Sequence, residues 1–217
     1  MRDVTLFETV RVMAGRAPLW PRHLARMRAS AAVFGILPPP VDEPSWGGDD
    51  LVVRCELAGG RLRLVPREVP PAEPIMLATS PAPHRGYQHK VAERHWLEAA
   101  RLSVAPLLAD DALMFDPVGR LVEATIWAVG WWDGERLVFP PLGLGGLPSV
   151  ARGRLAGMVR GGVAVAAIDR EGLKGRSLLA CNAARGVVPV AALDGQAVPP
   201  NLRTAALAAR FWDGPQA

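Results

Sequence analysis

At 217 residues, half of them hydrophobic, the chain is long enough for one large domain or two small ones around a substantial apolar core. The opening twenty residues are interrupted by Arg2, Asp3, Glu8, Arg11 and Arg16, which speaks against a signal peptide; no apolar run reaches a membrane span, and Cys55 and Cys181 make no disulfide framework, so a reducing cytoplasm is the expected location. The net charge of +4 comes from arginines in small groups along the whole chain, without a basic tail or interleaved aromatics, which argues against nucleic acid and favours small anionic ligands.

In chain order, "VTLFETVRV" (4–12) is rich in β-branched and apolar residues and predicts a strand ending at the turn "AGRAP". "PRHLARMRASAAVFGI" predicts a helix: Pro21 suits its first turn, Leu24, Met27, Ala31 and Phe34 share one face, and Gly35 followed by three prolines stops it. Arg26 lies close to that apolar stripe. "LVVRCEL" and "RLRLVPREV" flank "AGG" as a hairpin, and "IMLAT" is a further short strand. The Pro-rich stretch from Pro70 to Pro83 is the expected boundary, giving a small α+β unit over 1–79 and a larger one over 80–217. After Lys90, "VAERHWLEAARLSVAPLL" predicts a helix limited by Pro106, with the lysine at its entry. "ALMF", "LVEATIWAV" and "RLVF" predict a three-stranded meander, and "PPLGLGGLPS" leads as a loop into the helix "VARGRLAGMV". "VAVAA", "SLLAC" and "VVPVAAL" follow as strands, with "NLRTAALAARFW" as the last helix.

Chemistry concentrates in three places. Of 25 basic residues, 23 are arginine and only Lys90 and Lys174 are lysine. A guanidinium stays protonated at any reachable pH, whereas burial or nearby charge can free a lysine amine, so each lysine is a candidate nucleophile as well as a candidate surface cation. In "LVEATIWAV" both faces are mostly apolar, which makes Glu123 either a buried carboxylate in need of a cationic partner or an edge residue turned to water. "PPLGLGGLPSVARG" sets glycines, a proline and Ser149 ahead of a helix, where the N–H groups of Val150 and Ala151 suit a phosphate; an ordinary loop-to-helix connection fits the same residues. Neither a dinucleotide fingerprint nor a P-loop matches, G-x-S-x-G and H-E-x-x-H are absent, and His23, His84, His89 and His95 have no metal spacing, although His84 and His89 could tune charge near Lys90. A lysine amine, a buried carboxylate, a phosphate-ready helix end and an inward arginine are together the groups that pyridoxal phosphate asks for.

The sequence resembles the class IV aminotransferase family of fold-type IV pyridoxal-phosphate enzymes along nearly its whole length. "LFETVRVMAGRAPLWPRHLARMRASAAVFGI" is similar to the family's Phe-Glu-Thr strand and His-x-x-Arg helix, "HKVAER" to its cofactor-lysine segment, and "DPVGRLVEATIWAV" to the segment of its ring-nitrogen glutamate. "PPLGLGGLPSVAR" is similar to its phosphate loop, and "CNAARGVVPV" to the late Asn-Ser-Leu-Arg-Gly segment of the lyase-like branch. Departures are Trp127 and Ala128 where Ser-Asn is usual, Ser149 and Ala151 where glycine and threonine are usual, and a start only six residues before Phe7.

The resemblance implies an α/β protein in which a small α+β domain and a larger domain with a barrel-like sheet hold pyridoxal 5'-phosphate between them, in a homodimer. It implies that Lys90 carries the cofactor and moves protons, that Glu123 faces the pyridine nitrogen, and that Arg26 with the amides of Val150 and Ala151 takes the phosphate, with Asn182 at the cofactor edge. The lyase-like branch implies 4-amino-4-deoxychorismate lyase chemistry on a small anionic amino substrate, releasing pyruvate and 4-aminobenzoate for folate synthesis. A branched-chain or other amino-acid aminotransferase is the alternative, and a family member without catalytic activity a second one.

Overall fold

The computed structural model describes residues 4–39 and 44–213, so Pro40 of the expected helix stop lies outside the described residues. Strand β1 (Leu6–Val12) pairs antiparallel with β2 (Leu51–Ala58), which turns through Gly59 and Gly60 into antiparallel β3 (Arg61–Arg67). Both turn glycines have positive φ, 54° and 75°, where a Cβ would be strained. Helix α1 (Trp20–Phe34) lays Trp20, Leu24, Met27 and Ala31 on this sheet against Val10, Val12, Val53, Cys55 and Leu57, and ends at Gly35 in the left-handed conformation.

The second sheet contains β4 (Ile75–Thr79), β5 (Asp111–Phe115), β6 (Leu121–Ala124), β7 (Ala128–Asp133), β8 (Arg136–Phe139), β9 (Ala164–Val165), β10 (Leu178–Asn182), β11 (Gly186–Leu193) and β12 (Gln196–Ala197). Its order is β6-β5-β4-β11-β10-β7-β8-β9, with β12 on β11. Only residues 125–127 join β6, at one end of that order, to β7 in its far half, and the Ala124 N–H bonds the Trp127 carbonyl at 2.9 Å across the step. A sheet whose distant strands are so closely joined must curl, which gives the barrel-like form expected of this α/β chain. Helix α2 (His95–Val104) buries Leu97, Ala100 and Val104 on Ala78, Ala112 and Met114, while α3 (Val150–Met158) and α5 (Leu202–Ala209) cover Phe139, Leu179, Cys181 and Val187. A short helix, α4 (Arg170–Leu173), completes the order. No helix among the described residues is long and apolar enough to cross a membrane.

Four expectations are corrected. β4 hydrogen-bonds in parallel with both β5 and β11, so a boundary at 79/80 cuts one strand away from its own sheet. The helix expected from Val91 starts at His95, because the preceding residues pair instead with β1: the Phe7 N–H donates to the Lys90 carbonyl at 2.9 Å and the Ala92 N–H to the Thr5 carbonyl at 2.8 Å. The single strand expected over "LVEATIWAV" breaks at 125–127, so β6 and β7 are not the neighbours that a meander requires. "VAVAA" keeps only the two-residue β9.

Candidate active site

A cleft of about 400 Å³ opens between the two sheets and the loop ahead of α3, lined by Arg26, Lys90, Glu123, Val150 and Asn182 among others. These are five of the six residues singled out in the sequence. Ala151, the sixth, is buried in the core against which α3 packs.

Lys90 lies on the extended stretch that β1 captures, not on the helix. Its Nζ stands 4.6 Å from the centroid of the Phe7 ring, and the guanidinium carbons of Arg54 and Arg94 stand 3.9 and 4.7 Å from the same centroid. Burial, then the charges of Arg26 and Arg94, lower the Lys90 amine to about 7, against the pull of Glu8 and Glu123. An appreciable share of amines is therefore unprotonated at neutral pH, as nucleophilic attack requires.

At one side of the cleft Glu8 of β1 is 1% exposed. His23 and Arg26, one turn apart on α1, both reach it: the His23 Nδ1 lies 2.7 Å from its Oε2, and the Arg26 Nε donates to its Oε1 at 2.8 Å, with Nη2 donating to Oε2. Burial alone would raise this carboxyl, but the Arg26 charge and then His23 hold it at about 2. The Arg26 Nη1 donates to the Pro148 carbonyl at 2.8 Å, so three of its five N–H groups are committed and two remain. Burial lowers the His23 pKa, and its Nε2 is buried with no hydrogen-bond partner.

At the opposite side Glu123 of β6 is 7% exposed. Its Oε1 lies 3.1 Å from the His84 Nε2, and its Oε2 accepts the Leu147 N–H at 3.1 Å. Burial raises its pKa, opposed by the His84 hydrogen bond and the nearby Lys90 charge. Although β6 ends the sheet order, Glu123 is not turned to water, and its direct partner is a histidine instead of the expected cation. The break after β6 has its own cause: the buried Asp111 accepts the Thr125 hydroxyl and, at 3.0 Å, the Ile126 N–H, which turns the chain at the cleft floor. Burial raises the Asp111 carboxyl as well.

Ser149 caps α3, its Oγ accepting the Arg152 N–H at 3.3 Å, and the N–H groups of Val150 and Ala151 have no acceptor within the helix. The Asn182 Oδ1 is taken by the N–H groups of Ala184 and Arg185, at 3.0 and 2.8 Å, in the turn between β10 and β11. Only its amide nitrogen remains for a ligand. Cys181 also lines the cleft, but burial pushes its thiol up to about 12, which keeps it from nucleophilic work.

Sequence reasoning missed Glu8, gave His23 no site role, and took His84 only as a residue that could tune charge near Lys90, where it sits directly on Glu123. A signal for the first two existed: His23 and Arg26 at i and i+3 on one helix face call for a common anionic neighbour. Among the described residues no group of three or more His, Cys, Asp or Glu could hold a metal ion. The orphaned His23 Nε2, the uncommitted N–H groups of Arg26, Val150 and Ala151, and a lysine amine of lowered pKa beside a buried carboxylate all fit a ligand bearing a carbonyl, a basic ring and an anionic tail.

A family model described as amino-transferase class IV matches residues 5–66 and 62–193. No curated protein matches the sequence. Among solved structures, a Mesorhizobium loti protein described as an amino-acid aminotransferase is 27% identical, with a TM-score of 0.78 over 88% of this chain and 100% of its own. A Legionella pneumophila protein described as a 4-amino-4-deoxychorismate lyase is 20% identical, with a TM-score of 0.84 over 96% and 91%. An aminotransferase from Brucella abortus bound to the cofactor pyridoxal phosphate is 21% identical, with a TM-score of 0.81 over 96% and 88%. The last two likenesses carry the fold alone.

Proposed function

Since the chain belongs to the class IV aminotransferase family and is a pyridoxal-phosphate-dependent enzyme, we propose that its reaction is of the 4-amino-4-deoxychorismate lyase type, releasing pyruvate and 4-aminobenzoate. The observation that carries this reading is the charge of the cleft. Arg26, Arg54, Arg67, Arg94, Arg101 and Arg185 line it against the carboxylates of Glu68 and Glu123, and Tyr87 is its single tyrosine. Glu8 already pairs Arg26 and Glu56 pairs Arg54, which leaves guanidinium groups in excess around the lysine. Such a wall favours a substrate with two carboxylates over a branched aliphatic one.

In this reading Lys90 holds the cofactor covalently, Glu123 meets its ring nitrogen, the free N–H groups of Arg26 and those of Val150 and Ala151 receive its phosphate, and Asn182 lies at its edge. The bound cofactor supplies an electron sink for a carbanion formed beside the substrate amine. Lys90, once the substrate amine has displaced it from the cofactor, would take and return protons at the substrate carbons as a free amine. Arg94 and Arg185, the latter 5.3 Å from the Trp127 ring centroid, orient the carboxylates. We further propose that the enzyme works as a homodimer and acts in folate synthesis. Amino-acid transamination is the second reading, favoured by the amino-acid aminotransferase likeness at 27% identity.

Two measurements test this. Protein loaded with pyridoxal phosphate and freed of excess should show a visible absorption band that borohydride bleaches, and Lys90→Ala should lack it; a band of equal strength in the variant overturns the role of Lys90. Pyruvate release without a keto-acid acceptor supports the lyase, whereas turnover that starts only on adding an acceptor overturns it in favour of a transaminase.

A further inference from the structure

Three segments distant in sequence meet on the Glu123 carboxylate. β6 supplies the side chain, the loop before α3 supplies the Leu147 N–H to Oε2, and the stretch that leads to Lys90 supplies the His84 Nε2 to Oε1. The histidine is held on every side. Its backbone N–H donates to the Phe115 carbonyl at 2.7 Å, Trp96 packs edge-on at 5.0 Å, and the residue is 4% exposed. Its second ring nitrogen, Nδ1, accepts the Gly86 N–H at 3.1 Å. A ring nitrogen that accepts carries no proton, so the proton sits on Nε2 and is donated to Glu123. One residue beyond Gly86, the Tyr87 N–H donates to the Gly145 carbonyl at 2.6 Å and ties the same stretch to the loop that carries Leu147.

We propose that His84 is a positioning residue: its fixed Nε2–H turns the Glu123 carboxylate toward the cleft and sets how readily that carboxylate takes a proton. The consequence for the cofactor rests on the reading that Glu123 meets its ring nitrogen. An arginine in the same place would hold the carboxylate permanently ionised, as Arg26 holds Glu8. A histidine whose Nδ1 is committed to Gly86 offers one neutral donor and no more, so Glu123 stays an acceptor whose basicity depends on a single hydrogen bond. The other titratable groups near Glu123 are Lys90 and Tyr87 from the same stretch, and the loop adds the Leu147 N–H; Arg26 of α1 and Arg94 line the same cleft and act on Tyr87. The stretch that ends in Lys90 thereby also adjusts the acid on the far side of the cleft.

Two substitutions separate the two bonds of the ring. In His84→Gln the amide nitrogen reaches about as far as Nε2 and keeps the donor to Glu123. In His84→Asn the Oδ1 takes the place of Nδ1 and keeps the acceptor for Gly86 while the donor to Glu123 is withdrawn. Carbon-13 NMR of glutamate-labelled, cofactor-free protein follows the Glu123 carboxyl with pH, the resonance being identified by its loss in Glu123→Gln. The midpoint should rise by about one pH unit in His84→Asn, a tenfold gain in proton affinity, and stay near wild type in His84→Gln. If His84→Asn titrates as wild type, or if both variants shift alike, the histidine serves the turn only and the proposal falls. Pyridoxal phosphate affinity, read by quenching of tryptophan fluorescence, should weaken about tenfold in His84→Asn and hold in His84→Gln. A carboxyl shift without any change in affinity would keep the tuning by His84 and overturn the placement of Glu123 on the cofactor.

Discussion

Two buried carboxylates bound the cleft, and they are treated in opposite ways. Glu8 is locked by a bidentate arginine and a histidine, which together overcome its burial and leave it ionised down to about pH 2. Glu123 has one histidine N–H and one backbone N–H, burial prevails, and its pKa moves up. The first carboxylate is an anchor: it fixes Arg26 and His23 on α1 whatever the cleft contains. The second is responsive, because its charge depends on what faces it. A fixed charge at the Arg26 side and an adjustable one at the Glu123 side suit a site that holds its ligand at one end and manages a proton at the other.

The sharpest way to break this contrast is to make one substitution at both ends. Glu8→Gln strips a buried guanidinium of its counter-charge and should cost about 3–5 kcal/mol of stability in urea unfolding of the cofactor-free protein, whereas Glu123→Gln should cost less than about 1 kcal/mol. Equal losses would show that both carboxylates are anchors. The pH dependence should carry opposite signs. Glu8, low in the folded state, contributes stability above pH 4.5 that is lost as the pH falls toward 2, so the gap between wild type and Glu8→Gln narrows on acidification. Glu123, raised in the folded state, contributes stability below pH 4.5 that is lost as the pH rises through its folded value, so wild type gains on Glu123→Gln between neutrality and pH 4.5.

A smaller effect is expected between the two carboxylates. The Lys90 amine falls from 10.5 to about 7 on folding, so between those values the unfolded chain binds the extra proton and stability rises with pH. Lys90→Met should therefore stabilise the cofactor-free protein at pH 6 by about 2 kcal/mol, since cleft water screens part of the penalty, and the gain should vanish above pH 10.5. A gain that does not change with pH would mean better packing and no relief of buried charge. The smallest effect belongs to an anchor without charge. Ser149→Ala removes the side-chain cap of α3 and should lower stability by about 1 kcal/mol while leaving the absorption band of the cofactor-loaded protein unchanged. Loss of the band would make Ser149 a phosphate ligand as well as a cap.

Much of the fold was legible because its signals are local. The β-branched and apolar residues of "LFETVRV", the apolar face of α1 and the Gly-Gly hairpin each depend on neighbours within a few residues. The scarcity of lysine pointed to Lys90, and an acid in a strand apolar on both faces pointed to Glu123; the structure puts both in one cleft with Arg26. What escaped was non-local. The break between β6 and β7 is imposed by Asp111, 14 and 15 residues upstream, whose carboxylate outcompetes the strand for the Thr125 hydroxyl and the Ile126 N–H. The late start of α2 comes from pairing of the Lys90 stretch with the beginning of β1. Nothing in "IMLAT" says which sheet it will join, and the bond from His84 to Glu123 spans 39 residues.

Phe7 shows what an uncharged residue can do among cations. Its ring, 1% exposed, has Arg54, Lys90 and Arg94 all within 5 Å of its centroid. The negative face of a phenyl ring attracts each of them through its quadrupole, yet it can neither take a proton nor form a salt bridge. An acid at this position would capture the lysine proton and compete with any incoming carboxylate; an aliphatic side chain would leave like charges to repel one another. The aromatic ring lets positive charge gather without neutralising it, and each cation keeps its outward face for an anion.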